Sequence, residues 1–295
     1  MKPIRGLMLV RNEDFLAPWA LMNALPACDE FLVLDNGSDD RTREGLEAAA
    51  RAEARIRIVT VPDAYDTHRF VEPWAREDVW VLNVDGDELY DPAGLAAMRP
   101  RLQAGAFDDW WRLSFRTVHA WTLDLDAGRA RGFDSPPNRR LPKLFNFGAI
   151  EAWDQGRHER LHGKDMVFRP GHRLDGIMPE DPDWDRGLLR CLHLCFMPRS
   201  SAAPEQGDAP NPSELRKAAR PLRRLRDMAL GLFGVAPAPR PSYKQRHYGQ
   251  GPLIEVDVSA FSRPSACPWH PCADQAEAAF AAASAARIAA GRATS

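Results

Sequence analysis

Lysine is scarce in this chain of 295 residues: it occurs only at positions 2, 143, 164, 217 and 244, and arginine supplies the other basic side chains. Net charge is nearly absent, at a formal −2. That balance argues against a nucleic-acid partner, because such proteins carry a strongly basic face. Cysteine is sparse and odd in number, at five, which excludes a disulfide scaffold and suits a reducing compartment. No apolar run approaches the roughly 20 residues that span a bilayer. The first such run, 6–10, is short and stops at Arg11-Asn12-Glu13, so no export signal is expected. The expected location is cytoplasmic, optionally peripheral at the inner face of the membrane. Internal repeats are also missing.

What is present is an alternation of short apolar runs and helical segments. Residues 6–10, 31–34, 57–61 and 79–84 read as buried strands. Between them, residues 14–25 read as a helix with Asn12 or Asp14 as cap, and an Ala/Glu/Arg-rich helix capped by Ser38 or Asp39 runs to about residue 55. Strands alternating with helices predict a mostly parallel, mixed α/β sheet flanked by helices. Ligands bind such sheets beyond the carboxyl ends of the strands. Three polar clusters, 11–13, 35–39 and 85–88, each follow a predicted strand and would converge on one edge. Further strands are expected at 110–121, 142–147, 188–197 and 253–261, with a terminal Ala-rich helix at 274–292. The expected organisation is a domain over 1–198, a Pro/Ser/Ala/Asp-rich linker over 199–213 and a mainly helical extension over 214–295.

Asp85 and Asp87, one glycine apart at a strand end, are hard oxygen donors suited to Mn²⁺ or Mg²⁺, and adjacent carboxylates repel one another without a cation. A solvated Asp-Gly turn is the plainer alternative. Two Cys/His groupings also invite a metal: Cys191, His193 and Cys195 alternate as on one face of a strand, and Cys267, His270 and Cys272 cluster among prolines. Neither has the usual two-residue spacing between cysteines of a zinc site, and core packing is the preferred reading of both.

Arg11-Asn12-Glu13, Asp35-Asn36-Gly37-Ser38-Asp39 and Asp85-Gly86-Asp87-Glu88, in that order and spacing, resemble the successive motifs of glycosyltransferase family 2, in its bacterial branch. The resemblance is firm over residues 4–100 and thins toward 200. It implies a GT-A-like fold holding a nucleotide-diphosphate sugar, commonly UDP-linked. By that likeness Arg11, Asn12 and Glu13 bind the nucleotide sugar, Glu13 near the base and ribose, and Asp35 and Asn36 contact the base. Asp85 lies near the ribose and the metal, and Asp87 ligates the metal. Asn36 departs from the second Asp many members carry. Arg69 stands where a diphosphate-pairing basic residue often falls. Pro142-Lys143-Leu144-Phe145 resembles a segment lining the cleft. His193 matches a position where a His closes the metal shell, and His158 is a rival.

The implied activity is metal-dependent, inverting transfer of a sugar to a hydroxyl of a glycan or lipid-linked acceptor, as in polysaccharide biosynthesis. A carboxylate downstream of the acidic cluster serves as base: Asp181 in Glu180-Asp181, with Asp154 and Glu151 as rivals. Trp110, Trp111, Trp121 and Trp153 could stack on sugar rings or belong to the core. Residues 214–234 combine Leu and Ala at helical spacing with six basic side chains, as in a helix lying on an anionic membrane or one packed on the domain with a solvated basic face. Two other readings remain: a non-catalytic nucleotide-sugar or glycan-binding protein on a degenerate scaffold, and a sugar nucleotidyltransferase. The last is disfavoured because the first loop lacks the glycines of a phosphate loop.

Overall fold

The computed structural model describes residues 1–136, 140–153, 159, 161, 166–174, 183–203 and 243–293. Four parallel strands build the first half of the chain: β1 (Ile4–Val10), β2 (Glu30–Asp35), β3 (Ile56–Thr60) and β4 (Trp80–Asp85). They lie in the order β3-β2-β1-β4. The chain steps outward from β1 to β3, then returns to place β4 on the other side of β1. The crossovers carry α1 (Ala17–Ala24), α2 (Thr42–Ala52) and the short α3 (His68–Val71). Strands β1, β2 and β4 are buried along most of their length because both faces are covered, whereas β3, at the sheet edge, fully buries only Ile56. Gly6 is required here for space: a Cβ would lie 2.1 Å from the Phe31 ring on β2.

After β4 come β5 (Glu88–Tyr90) and α4 (Pro92–Gln103). Helix α4 starts where Asp91 accepts the Ala93 amide and Pro92 presets the first turn. The sheet then continues antiparallel through β6 (Arg112–Asp124), β7 (Arg129–Asp134) and β8 (Leu141–Asn146). Strand β8 joins β4 to β6. Register shifts at 113–114 and 120–122 bend the thirteen-residue β6, so its first part pairs with β8 and its later part with β7. A separate small ribbon joins β9 (Ile150–Ala152) and β10 (Val167–Phe168). Strand β11 (Arg190–His193) wedges between β5 and β6, antiparallel to the first and parallel to the second. The last elements are α5 (Tyr243–Tyr248), β12 (Leu253–Asp257) and α6 (Ala273–Ala293). Among the described residues ten strands share one mixed sheet, with helices against it.

Several elements differ from sequence expectation for visible reasons. Helix α1 begins at Ala17, not residue 14, because Asp14 is turned aside: its carboxylate accepts the amides of Arg41 and Ser201. Helix α2 begins at Thr42, whose amide is held by Asp40, leaving Ser38 and Asp39 to grip the first loop. Strand β11 stops at His193, where the Leu194 amide turns back to the Asp87 carbonyl. The segment after 198 does not leave the body at once, since Ser200 and Ser201 bond Asp40 and Asp14. Strand β12 extends the main sheet beside β7, and α6 is tied to β6 through Ser284 and Leu123. Residues 214–234 lie outside the described residues. Among the described residues no helix is long and apolar enough to cross a membrane.

Candidate functional site

The strand order places a topological switch between β1 and β4, where connections diverge and, as a rule in such sheets, a ligand crevice forms at the carboxyl ends. Register aligns those ends: Val10 lies beside Asp35, and Leu9 beside Asp85. All three polar clusters therefore meet at one edge, as expected from the sequence. Asn12 adopts the left-handed backbone, with φ of 54°, which turns the first loop toward the second. Its amide donates to Ser38 Oγ at 3.1 Å, and the Asp39 amide donates to Asn12 Oδ1 at 2.9 Å. The Glu13 amide donates to Thr42 Oγ1 at 2.8 Å. Asp35 accepts the Ser38 amide at 3.0 Å and faces Arg43 at 3.6 Å. Asn36 spends its side-chain N–H on the Val61 carbonyl at 2.8 Å. Arg11 is exposed at the rim.

Below this stitched surface sits the acidic cluster. Asp85 closes β4 and Glu88 opens β5, with Gly86 and Asp87 between them. Glu13 leans over the turn: a Cβ at Gly86 would lie 1.8 Å from Glu13 Oε2, so glycine is what allows the carboxylate to approach. Lys143, from β8, is buried between Asp85 Oδ2 at 2.8 Å and Glu88 Oε2 at 2.7 Å. Tyr90 OH also donates to Glu88 Oε2. Arg199 bridges Asp87 Oδ2 at 2.8 Å and Glu13 Oε1 at 3.3 Å. His193 Nε2 faces Asp87 Oδ1 at 3.5 Å. Four carboxylates are thus gathered around two side-chain cations and one imidazole.

Titration follows from burial set against these charges. Burial opposes the Asp87 anion, but His193 and Arg199 outweigh it and hold the carboxyl well below its usual range. Glu88 goes the other way: burial raises its pKa, and Lys143 compensates only in part. Burial likewise pushes up the Tyr90 phenol, helped by Glu88. Burial would discharge Lys143, yet Asp85 and Glu88 raise its pKa above the ordinary lysine value. Burial would also discharge His193, but Cys195 and Asp87 outweigh it and raise its pKa.

A third of the site lies in a row across three strands. Glu88 on β5 is level with His193 on β11, which is level with His119 on β6. His119 and His193 face one another Nδ1 to Nδ1 at 2.8 Å, and His119 Nε2 reaches Ser135 Oγ at 2.8 Å. Tyr248 on α5 packs on both rings, with centroids 4.6 and 4.9 Å away. Burial, then His193, drive the His119 pKa well below the ordinary value, so this ring is neutral. Cys195 lies close by, and one ligand atom each from His119, His193 and Cys195 fall within 4.8 Å of one another. The 2.8 Å contact is a hydrogen bond. Two nitrogens on one tetrahedral ion, at about 2.0–2.1 Å each, would stand roughly 3.3 Å apart.

The donor set suits a divalent cation. Carboxylate oxygens and an imidazole nitrogen are the ligands Mn²⁺ accepts, and carboxylates alone suit Mg²⁺. Glu88 Oε1 is buried without a hydrogen-bond partner, an acceptor atom left over in the cluster. The carboxylates need positive charge among them, which Lys143 and Arg199 supply here and a divalent ion could supply instead.

Of the residues singled out in the sequence, Glu13, Asp85, Asp87, Lys143 and His193 come together, with Asn12, Asp35 and Asn36 on the adjoining loops. Arg69 does not join them by any contact described: it is exposed on α3 and pairs with Asp66 at 3.5 Å. Glu151 is exposed on β9, in a shallow hollow with Glu72, Ala75, Arg76 and Trp153 that no residue of the acidic cluster lines. That placement gives it no described contact with the acidic cluster. Asp154, His158 and Asp181 lie outside the described residues. Trp111 and Trp153 serve the core, where Trp111 packs with Phe145 and Phe168 and Trp153 stacks on Phe147, while half-buried Trp121 sits between Phe196 and Arg287. Trp110 carries Arg173 on its face.

The second Cys/His grouping is structural. His270 uses Nε2 on the Phe15 carbonyl and Nδ1 on the Cys272 amide, and Cys267 donates to the Pro18 carbonyl. Cys191 does not belong to the ligand-like group, which takes His119 in its place. Arg199 and His119 were not anticipated. The sequence signal for His119 was one further step of the β6 alternation past Thr117. Arg199 offered none beyond following the Cys-Leu-His-Leu-Cys segment.

No protein-family model matches the chain, and no curated protein matches it. Among solved structures, it is similar to glucosyl-3-phosphoglycerate synthase from Mycobacterium tuberculosis in complex with Mn²⁺ and UDP-glucose, at TM-score 0.30 and 20% identity over 39% of this chain. That alignment spans 44% of the synthase, so less than half of its length is matched. The chain is also similar to a mannosyltransferase from Pyrobaculum calidifontis in complex with GDP-Man and Mn²⁺, at TM-score 0.38 and 13% identity, over 100% of this chain and 81% of that one. Both likenesses are remote.

Proposed function

We propose that this chain is a metal-dependent glycosyltransferase that takes a nucleotide-diphosphate sugar, UDP-linked by preference, and transfers the sugar with inversion to a hydroxyl of a glycan or lipid-linked acceptor. The observation that carries this reading is the meeting of Glu13, Asp85, Asp87, Glu88 and His193 at the switch-point crevice, directly beneath the stitched loops at 11–13 and 35–39. Asp85, Asp87 and His193 would hold Mn²⁺ or Mg²⁺. Such an ion, when bound, offsets the charge that develops on a departing diphosphate.

The chain's own residues account for the rest. The turn at 35–39 offers backbone and amide groups to a base, with Asp35 fixing its shape. Arg11 stands at the rim, where it can meet an anionic donor on entry. Lys143 and Arg199 offset the repulsion among the carboxylates before the donor arrives, and their fixed positive charge favours the diphosphate product. The proton from the acceptor hydroxyl goes to a carboxylate, with Asp181 as first candidate and Asp154 as second. The test is donor binding by calorimetry against UDP- and GDP-sugars with and without Mn²⁺. Metal-dependent binding that disappears in Asp87→Ala is expected, and donor binding indifferent to both refutes the assignment. Unchanged turnover in Asp181→Asn would remove that base.

One observation favours a second reading, a non-catalytic sugar-nucleotide-binding protein. Lys143, Arg199 and His193 already neutralise much of the acidic cluster, so it can persist as a structural ion network. Donor binding without turnover across a broad acceptor panel distinguishes it. Contact of the basic segment 214–234 with anionic lipid is a separate proposal, and failure to co-sediment with anionic vesicles at low salt would end it.

A further inference from the structure

The row formed by Glu88, His193 and His119 across β5, β11 and β6 has a feature that the metal reading alone does not use. His193 carries its two ring nitrogens to two different partners: Nε2 to Asp87 at 3.5 Å and Nδ1 to His119 Nδ1 at 2.8 Å. Two nitrogens in hydrogen-bond contact share one proton, so one of them donates and the other accepts. If His193 Nε2 gives its lone pair to a cation, Nδ1 must keep its hydrogen, because the alternative is an imidazolate bare at both nitrogens. His119 Nδ1 is then the acceptor. Its hydrogen sits on Nε2, which faces Ser135 Oγ at 2.8 Å. Every atom along Ser135, His119, His193 and Asp87 has a complementary role in that arrangement. Tyr248 closes the face of both rings. The partner of the non-ligating nitrogen commonly decides which nitrogen of a His meets the metal.

We propose that His119 is the positioning residue of this centre: it accepts the Nδ1–H of His193 and thereby presents Nε2 as the lone pair that a divalent cation takes. This rests on the reading of His193 and Asp87 as metal ligands. His119 touches neither donor nor acceptor sugar and acts only through His193. The strand register makes the pairing, since His119 and His193 are level across the parallel β6–β11 pair.

The test titrates Mn²⁺ alone into metal-free protein, followed by calorimetry and by the electron spin resonance of free Mn²⁺. The unaltered chain is expected to bind Mn²⁺ and Asp87→Ala to lose it. His119→Leu removes the acceptor and is expected to weaken binding about 10- to 100-fold, the usual range for an outer partner of a metal-bound His. His119→Asn places an amide oxygen near the former Nδ1 and is expected to restore most of that loss. Wild-type affinity in His119→Leu overturns the positioning role and leaves the metal reading intact. Equal loss in His119→Leu and His119→Asn also overturns it, because packing rather than hydrogen-bond acceptance would then be the cause. An unaltered chain that ignores Mn²⁺, or an Asp87→Ala variant that binds normally, refutes the metal reading itself. Should His119→Leu not fold, histidine ¹⁵N spectra of the unaltered protein with Cd²⁺ decide. Metal on His193 Nε2 with hydrogen on Nδ1 is expected, and metal on Nδ1 overturns the proposal.

Discussion

Replacing Lys143 with Met removes the ammonium that lies between Asp85 and Glu88 while keeping most of the length of the side chain. The ammonium lies 2.7 Å from Glu88 and 2.8 Å from Asp85. At an effective dielectric of about 20, each contact is worth roughly 6 kcal/mol before desolvation is subtracted. Breaking a buried pair by deleting one partner costs about 3–5 kcal/mol net, and the Glu88 side chain is 1% exposed. Thermal unfolding of the metal-free variant at pH 8 should therefore occur roughly 6–20 °C below the unaltered chain. The pH dependence has a definite sign. Burial raises the Glu88 pKa in the folded state above its unfolded value, so protonation favours the fold and the penalty is largest above the folded pKa. Loss of Lys143 raises that pKa further. The deficit should then shrink as pH falls from 8 and Glu88 approaches protonation. Adding Mn²⁺ at pH 8 should recover part of it by supplying the missing charge. A variant within about 1 kcal/mol of the unaltered chain, far below the loss expected for a buried pair, would refute the reasoning. So would a deficit that does not change as pH falls from 8.

Arg199→Met removes the guanidinium that shares Asp87 with any incoming cation. The metal-free melting temperature should fall, while the rise on adding Mn²⁺ should exceed that of the unaltered chain. An equal or smaller rise means that Arg199 and the ion do not occupy the same charge environment. Gly86→Ala places a methyl group where Glu13 Oε2 now lies. Glu13 can swing out, so stability should drop by no more than about 1–3 kcal/mol while donor binding weakens; calorimetry showing unchanged binding would take Glu13 out of the site. Far from the crevice, Arg263 holds Glu277 down to about 2. Its folded pKa is depressed, so the contribution is present above the unfolded pKa near 4.3 and is lost as pH falls toward 2. Glu277→Gln should cost roughly 0.5–1 kcal/mol at pH 7, given a partly exposed partner, and progressively less as pH falls through about 2. A cost that persists in acid would show a packing origin.

The parallel half of the sheet was legible in the sequence because its strands are short apolar runs, each closed by a polar turn. That pattern alone put 11–13, 35–39 and 85–88 on one edge. Lateral partners were not legible. His119 and Arg199 reach the cluster because β11 inserts between β5 and β6, a pairing between segments about 75 and 100 residues apart that no local period encodes. The start of α1 was misplaced for the same reason. Asp14 looks like a cap from its neighbours, but Ser201 and Arg41 draw it away. In α6 the periodicity was hidden by alanine on every side: the described buried stripe runs through Ala276, Phe280 and Ser284, and of these Phe280 alone is a large apolar side chain.

The contact of α6 with α1 has a consequence for how the chain is made. Phe280 stacks on Trp19 and meets Phe15 edge-on, while Trp19 donates to the Phe261 carbonyl. The first helix thus waits for residues some 250 positions later before its aromatic side is covered. At ordinary synthesis rates of roughly 5–20 residues per second, that leaves Phe15 and Trp19 bare on the nascent chain for about 10–50 s. A ribosome-bound intermediate ending before residue 261 is accordingly the species a holdase chaperone should engage, and truncation there should convert a folding domain into an aggregating one.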